Sequence, residues 1–133
     1  MNVIVTVCGT QYVDGESDRT EQRAVGTLES KGQALCLSYA DEESQTTLTV
    51  ARDKIVIDRR GETASVMTLQ AGITHLCDYQ TPYGAFTLGV TAQRVDNRLT
   101  EHGGVLNAAY RLDMGGGSTQ NEIEIIVKEV SCS

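Results

Sequence analysis

The stretch Gly84-Ala85-Phe86-Thr87-Leu88-Gly89-Val90-Thr91-Ala92-Gln93 shows the pattern that decides the fold. Phe86, Leu88, Val90 and Ala92 recur at every second position, and threonine, glycine and glutamine stand between them. A period of two puts alternate side chains on opposite faces of a pleated strand. The stretch therefore predicts a β-strand with one buried and one solvated face.

The same alternation extends outward along most of the chain. It is present over 104–114 and it recurs in the pairs and groups Leu35-Leu37-Tyr39, Leu48-Val50, Ile55-Ile57, Met67-Leu69 and Ile123-Ile125-Val127. Turn-forming residues separate these segments at intervals of roughly 8–12 residues, as in sandwiches and barrels of short strands. The predicted turns are Asp14-Gly15, Lys31-Gly32, 41–44, Arg52-Asp53, Arg60-Gly61, Ala71-Gly72, 82–84, Asp96-Asn97, Gly103-Gly104 and 115–117.

Composition and length agree with a single all-β domain over residues 1–133. Thr, Val and Ile occupy 35 of the 133 positions, and β-branched side chains suit pleated sheets better than helices. A meander of about eight to ten strands has two edges to protect, and closing the sheet on itself removes both. A two-sheet sandwich needs longer crossing connections than these turns provide. The sequence therefore favours an antiparallel, mostly up-and-down β-barrel.

Charge and hydropathy exclude some classes of partner. Eighteen acidic residues stand against eleven Lys and Arg, which gives a net charge of −7. A nucleic-acid-binding protein needs a cationic face for the phosphates, so we expect no nucleic-acid partner. No apolar run approaches the roughly 18 residues of a membrane span, and we expect no membrane partner. Cys8, Cys36, Cys77 and Cys132 are widely spaced, and the first residues do not predict a signal peptide, so we expect reduced thiols in a cytoplasmic protein.

One segment carries a family resemblance. Tyr79-Gln80-Thr81-Pro82-Tyr83-Gly84, together with Gly26-Thr27-Leu28 and Leu37-Ser38-Tyr39, resembles the YwiB-like family of small bacterial proteins. The resemblance extends over essentially the whole chain. It implies a calycin-like (lipocalin-type) β-barrel and brings no established activity, so it supplies no catalytic or ligand-binding residue.

Candidate binding residues are therefore derived from the pattern alone. Pro82 and Gly84 are turn residues, and a structural turn explains the segment well. The functional interpretation places Tyr79 and Tyr83 at the barrel mouth, where hydroxyl groups on apolar rings meet a ligand. His75 shares a face with Tyr79, and a histidine inside a barrel needs a hydrogen-bond partner or serves a ligand as one. The predicted ligand-binding set consists of His75, Tyr79, Tyr83, Tyr39 and Tyr110.

The sequence gives little support to chemistry of other kinds. His75 and Cys77 at i, i+2 supply two metal ligands where a site needs three or four, so we predict no metal and no cofactor. There is no G-x-S-x-G elbow, and no cysteine stands beside a feature that lowers a thiol pKa. We therefore predict no catalytic residue and lean away from an enzyme. Arg59-Arg60 is a positive spot suited either to carboxylates of the chain or to an anionic ligand.

Two functions are favoured by the sequence, and an unrecognised enzyme that uses His75 near tyrosines and carboxylates is a third, less favoured one. The first is non-enzymatic binding of a small, partly apolar molecule inside the barrel, because a barrel of about eight strands either fills its interior or holds one small ligand. The second is a structural or protein-interaction module with a filled barrel, acting as a homodimer or with another protein. Interior volume separates them: a cavity of about 300 Å³ or more favours ligand binding.

Overall fold

The fold consists of ten antiparallel β-strands and contains no helix in the described residues. The computed structural model describes residues 1–130. The strands are β1 (Asn2–Val13), β2 (Glu16–Lys31), β3 (Ala34–Ala40), β4 (Ser44–Val50), β5 (Ile55–Gly61), β6 (Ala64–Leu69), β7 (Thr74–Thr81), β8 (Gly84–Thr100), β9 (Gly103–Asp113) and β10 (Ser118–Glu129).

The strands form a closed barrel. Each strand pairs with the next one along the chain, and β1 also pairs with β10, from Val3 opposite Glu129 to Tyr12 opposite Gln120. Closure leaves no strand at the end of the sheet, which is the solution expected for a meander of this length. The predicted antiparallel, up-and-down barrel is confirmed.

Turn chemistry explains most of the connections. Asp14 and Gly15 have φ angles of 50° and 79°, the left-handed pair that a tight two-residue hairpin turn requires between β1 and β2.

The prediction of a turn at Asp96-Asn97 is wrong, because both residues lie inside β8. Asn97 Nδ2 donates to the carbonyl of Ala51 at 3.3 Å, and Asn97 Oδ1 accepts from the Leu99 amide at 3.0 Å. The side chain therefore forms its hydrogen bonds from within a continuous strand. The turn predicted at Gly103-Gly104 instead falls on Glu101-His102.

Inward-facing side chains divide the lumen into a filled half and an open half. The filled half is the end at which β1, β3, β5, β7 and β9 begin. Its apolar side chains are buried, and those that are at most 2 % exposed include Val3, Val5, Leu37, Leu48, Leu69, Val90 and Leu106. Residues 1–130 contain no helix that is long and apolar enough to span a membrane.

A candidate ligand site at the barrel mouth

The open half of the lumen lies where the odd-numbered strands end, and we call this end the mouth. Here the inward-facing positions change from aliphatic to mixed residues. On β5, for example, Ile55 and Ile57 are followed on the same face by Arg59. On β3, Leu35 and Leu37 are followed by Tyr39. The change in residue type places open space and several polar side chains at this end of the lumen.

An apolar cavity of about 520 Å³ occupies one side of the mouth. Phe86 and Met114 are 54 % and 53 % exposed there, although both are large apolar side chains. Such exposure is typical of surfaces that bind a partner or a ligand. The residues that line the cavity are Gln11, Tyr79, Thr81, Phe86, Thr87, Leu88, Leu112, Met114, Gly115 and Thr119.

A smaller, polar cavity of about 270 Å³ lies beside it, and Tyr79 lines both. Arg59 lines this second cavity together with the acidic residues Asp41, Glu43 and Glu62. Arg59 takes part in no ion pair within the described residues. The residues that line the polar cavity are Gln22, Asp41, Glu43, Ser44, Thr46, Arg59, Glu62, Thr63 and Tyr79.

Two tyrosines, the buried Tyr39 and the partly buried Tyr110, lie close enough to Arg59 for its charge to act on them. Burial raises the pKa of Tyr39, and the charge of Arg59 and hydrogen bonding with Thr46 oppose that rise. Burial likewise raises the pKa of Tyr110, and the charge of Arg59 again opposes it. Both phenols are therefore protonated at neutral pH, and each offers a hydroxyl group as donor or acceptor.

Asp41 closes the rim of the polar cavity. Its carboxylate accepts hydrogen bonds from Gln22 Nε2 at 2.6 Å and from the amides of Glu43 and Ser44, each at 2.7 Å. These bonds, with that of Gln22 first, lower the pKa of Asp41 to about 2. The carboxylate thus holds the β3–β4 turn in place and ties it to β2.

This depressed pKa gives Asp41 a defined pH dependence. The unfolded chain takes up the proton near pH 3.8 and the folded chain near pH 2, so the contribution of Asp41 to stability is complete above pH 3.8 and is lost as pH falls through about 2. We expect the gap in unfolding midpoint between the wild-type protein and Asp41→Asn to be constant at neutral pH and to narrow across this window. Denaturant unfolding from pH 6 to pH 2 measures it. A gap that stays constant to pH 2 would contradict the proposed hydrogen bonding.

His75 lies in the barrel wall on the inward face of β7, away from both cavities. Its Nε2 is 3.0 Å from Oε1 of Gln70, and the ring is half-buried. The next inward residue, Cys77, is 2 % exposed, and burial raises the pKa of its thiol. His75 is thus a hydrogen-bonded histidine of the wall, and neither it nor Cys77 faces the mouth cavities.

The five residues predicted to bind a ligand are divided by the structure. Tyr79 lines both cavities, while the buried Tyr39 and the partly buried Tyr110 lie near Arg59. Tyr83 is 95 % exposed on the β7–β8 turn and lines neither cavity. Of the five, Tyr79 alone lines the two mouth cavities, while Tyr39 and Tyr110 are close enough to Arg59 to be affected by its charge, and His75 and Tyr83 lie apart.

Sequence reasoning missed the apolar wall and left the role of Arg59 undecided. Alternation along β5 was a usable signal, because Arg59 shares its face with Ile55 and Ile57. Phe86, Leu112 and Met114 also follow the inward pattern of their strands. What the pattern does not contain is the depth at which each side chain sits along the barrel axis.

A third cavity, of about 210 Å³, is lined by Tyr110 together with Gly9, Asn121 and Ile123. Within residues 1–130 no group of three or more His, Cys, Asp or Glu side chains is placed to hold a metal ion. Cys8, Cys36 and Cys77 are free thiols, and Cys132 lies outside the described residues. A groove of about 530 Å³ crosses the outer surface of β5, β6 and β7, lined mostly by side chains that face away from the lumen, such as Asp58, Val66 and Leu76.

Comparison with known proteins places the chain in a family and supports the fold. The profile of a family described as "Domain of unknown function (DUF1934)" matches residues 5–125. The crystal structure of YwiB protein from Bacillus subtilis is similar, with a TM-score of 0.89 and 19 % sequence identity over 98 % of this chain and 92 % of that one. No match was found among curated proteins. At this identity the structural likeness establishes a shared barrel fold.

Proposed function

The chain belongs to the family described as Domain of unknown function (DUF1934), and we propose that it binds a small, uncharged, partly apolar molecule at the mouth of its barrel. The observation that carries the proposal is the pairing of an apolar cavity of about 520 Å³ with a polar cavity at the same mouth. Ligand sites in proteins have this composition: an apolar wall with a few polar groups that fix orientation.

The apolar body of the ligand would lie against Phe86, Leu88, Leu112 and Met114. Phe86 and Met114 are more than half exposed without a ligand, so binding removes apolar surface from water. Each square ångström of such surface contributes about 25 cal/mol to binding. The preformed wall needs little rearrangement, which keeps the entropic cost of binding small.

The polar group of the ligand would face Arg59 and Tyr79. Three carboxylates, those of Asp41, Glu43 and Glu62, line this cavity against one guanidinium. An anionic group would be repelled by this excess of negative charge as well as by the net charge of −7. A hydroxyl or carbonyl group accepts hydrogen bonds from Arg59 and Tyr79 without that repulsion, so the polar group is uncharged.

Competition with a fluorescent probe tests both parts of the proposal. N-phenyl-1-naphthylamine, an uncharged apolar dye, is titrated into the protein and then displaced by 1-decanol or by decanoate at pH 7. We expect saturable dye binding and displacement by the alcohol at a concentration about tenfold lower than by the carboxylate, which corresponds to 1.4 kcal/mol. Absence of saturable binding would contradict the site, and stronger displacement by decanoate would contradict the uncharged ligand.

A substitution in the apolar wall locates the binding. We expect Phe86→Asp to weaken binding of the dye by about tenfold to a hundredfold, because a phenyl contact worth about 1.5–3 kcal/mol is replaced by a charge. Phe86 is 54 % exposed, so the variant is expected to fold. Leu76→Asp is the matched control, since Leu76 is 78 % exposed on the outer face of β7. Equal losses in the two variants would place the dye outside the mouth.

A further inference from the structure

The first ten residues of β2, 16–25, have a neighbouring strand on only one side. β2 pairs with β1 from Glu16 opposite Val13 to Thr27 opposite Asn2. Its pairing with β3 covers only Gly26 to Lys31. Residues 16–25 therefore have one free side within the described structure, while Gln22 is tied through its side chain to Asp41. Unpaired strand edges are the sites at which a further strand can add to a sheet.

The hydrogen-bonding direction of this edge can be assigned residue by residue. The amide of Leu28 donates to the carbonyl of Met1 at 2.9 Å, and the carbonyl of Leu28 accepts from the N-terminal amine at 3.2 Å. Leu28 thus directs its backbone groups toward β1. Because this direction alternates along an antiparallel strand, and the β1–β2 register is continuous, the odd-numbered residues direct their groups away from β1. The free side accordingly presents the amides and carbonyls of Ser17, Arg19, Glu21 and Arg23.

The side chains of the same residues alternate in charge. Arg19, Glu21 and Arg23 lie on the outer face and are exposed. None of the three belongs to an ion pair among residues 1–130, and the guanidinium of Arg19 is 3.9 Å from Sγ of Cys8. Unpaired charges of alternating sign along an edge make pairing with a neutral or like-charged strand unfavourable. Such an edge is complementary to an antiparallel copy of itself in a suitable register.

We propose that two copies of the chain associate by antiparallel pairing of this edge, about a two-fold axis at Thr20. In this register Arg19 lies opposite Glu21 of the partner subunit, and Glu21 lies opposite Arg19 of the partner subunit. Ser17 then lies opposite Arg23 of the partner subunit. All these residues direct their backbone groups outward, so each opposed pair exchanges two hydrogen bonds across the interface.

Neighbouring registers are less favourable. An axis at Glu21 would oppose the two Glu21 carboxylates and set Arg19 against Arg23 of the partner subunit, and like charges directly opposite one another are destabilising. An axis at Gln22 would pair Arg23 with Glu21 of the partner subunit but would extend the interface to Val25, beside the start of the β2–β3 ladder at Gly26. The axis at Thr20 keeps the opposite charges together and stays clear of β3.

Charge-swap variants of the full chain test the pairing through sedimentation velocity over a range of protein concentrations. We expect the wild-type mass to rise with concentration from 14.4 kDa toward twice that value. R19E places a carboxylate directly opposite Glu21 of the partner subunit, and the two-fold axis repeats this repulsive pair once. Association should therefore weaken at least about fivefold. E21R should weaken it similarly, and the double variant R19E/E21R should restore it. Arg52→Glu is the matched control, because it makes the same charge change on an exposed turn.

Amide hydrogen exchange supplies a readout that does not depend on total charge. In the dimer the amides of Arg19, Glu21 and Arg23 should be protected at high protein concentration and exchange faster on dilution. The amides of Asp18, Thr20 and Gln22 bond to β1 and should not respond. A protein that stays monomeric at all concentrations overturns the proposal. So does a dimer that is insensitive to R19E, since it would use another surface.

Discussion

We expect Gly104→Ala to lower the free energy of unfolding by about 3 kcal/mol or more, the largest effect of a one-carbon substitution in this chain. Gly104 has a φ angle of 141°, a conformation that residues with a side chain rarely adopt. A Cβ there would overlap the carbonyl oxygen of Arg98 and lie 3.1 Å from Cα of Leu99. These are backbone atoms of β8 in a closed barrel, so they cannot turn aside as the end of a flexible side chain can.

Denaturant unfolding of the variant measures this loss, and a second glycine provides the control. A Cβ on Gly116 would meet no heavy atom within 4 Å, and its φ angle is not in the left-handed region. Gly116→Ala should therefore leave the free energy of unfolding within about 0.5 kcal/mol of the wild-type value. An equally small effect of Gly104→Ala would show that β8 and β9 do not approach each other this closely at Gly104.

The second large effect is expected in the filled half of the lumen. Leu48 is 0 % exposed and lies opposite Leu37 on β3 and Ile57 on β5. Leu48→Ala removes buried methyl groups and leaves a cavity that the closed wall cannot collapse to fill. We expect a loss of about 3–4 kcal/mol in the free energy of unfolding, as measured by denaturant unfolding.

Leu76 offers the matched comparison for this substitution. It is 78 % exposed on the outside of β7, so Leu76→Ala should change stability by no more than about 0.5 kcal/mol. A loss below about 1 kcal/mol for Leu48→Ala would show that this half of the lumen is loosely packed. The lumen would then not be divided into a filled half and an open half.

The barrel could be predicted from the sequence because alternation and turn chemistry agree along most of the chain. Phe86, Leu88, Val90 and Ala92 share one face of β8 as their spacing indicates, and Leu88, Val90 and Ala92 are buried. Asp14-Gly15 forms the turn that its composition predicts. When local preference and global pairing point to the same structure, a single sequence is informative.

Asp96-Asn97 shows where this agreement ends. Its local preference is for a turn, but pairing of Asp96 with Asn107 and of Asn97 with Leu106 keeps both residues in β8. A bulge between Ala92 and Arg94 bends the long strand instead. Tertiary pairing overrides a two-residue preference here, and no pattern within the segment reports it.

The mouth was only partly predictable for a related reason. Alternation assigns Tyr39, Tyr79 and Tyr110 to the inward face, and the structure places all three near the open end. Alternation assigns His75 to the same face, but His75 lies near the start of β7, far from the mouth. There it is hydrogen-bonded to Gln70 and lines neither mouth cavity. Which inward residue reaches which depth depends on strand register and tilt, and these are set by the whole barrel.

Methyl-resolved NMR during titration with 1-decanol determines whether a ligand binds at the mouth, above a filled lumen. We expect saturable shifts in the methyl signals of Leu88, Leu112 and Met114, with no change at Leu48 and Leu106 in the filled half. Absence of saturable shifts would contradict a ligand site at the mouth. Shifts confined to Val66 and Leu76 would contradict it equally, because they would place the alcohol in the outer groove.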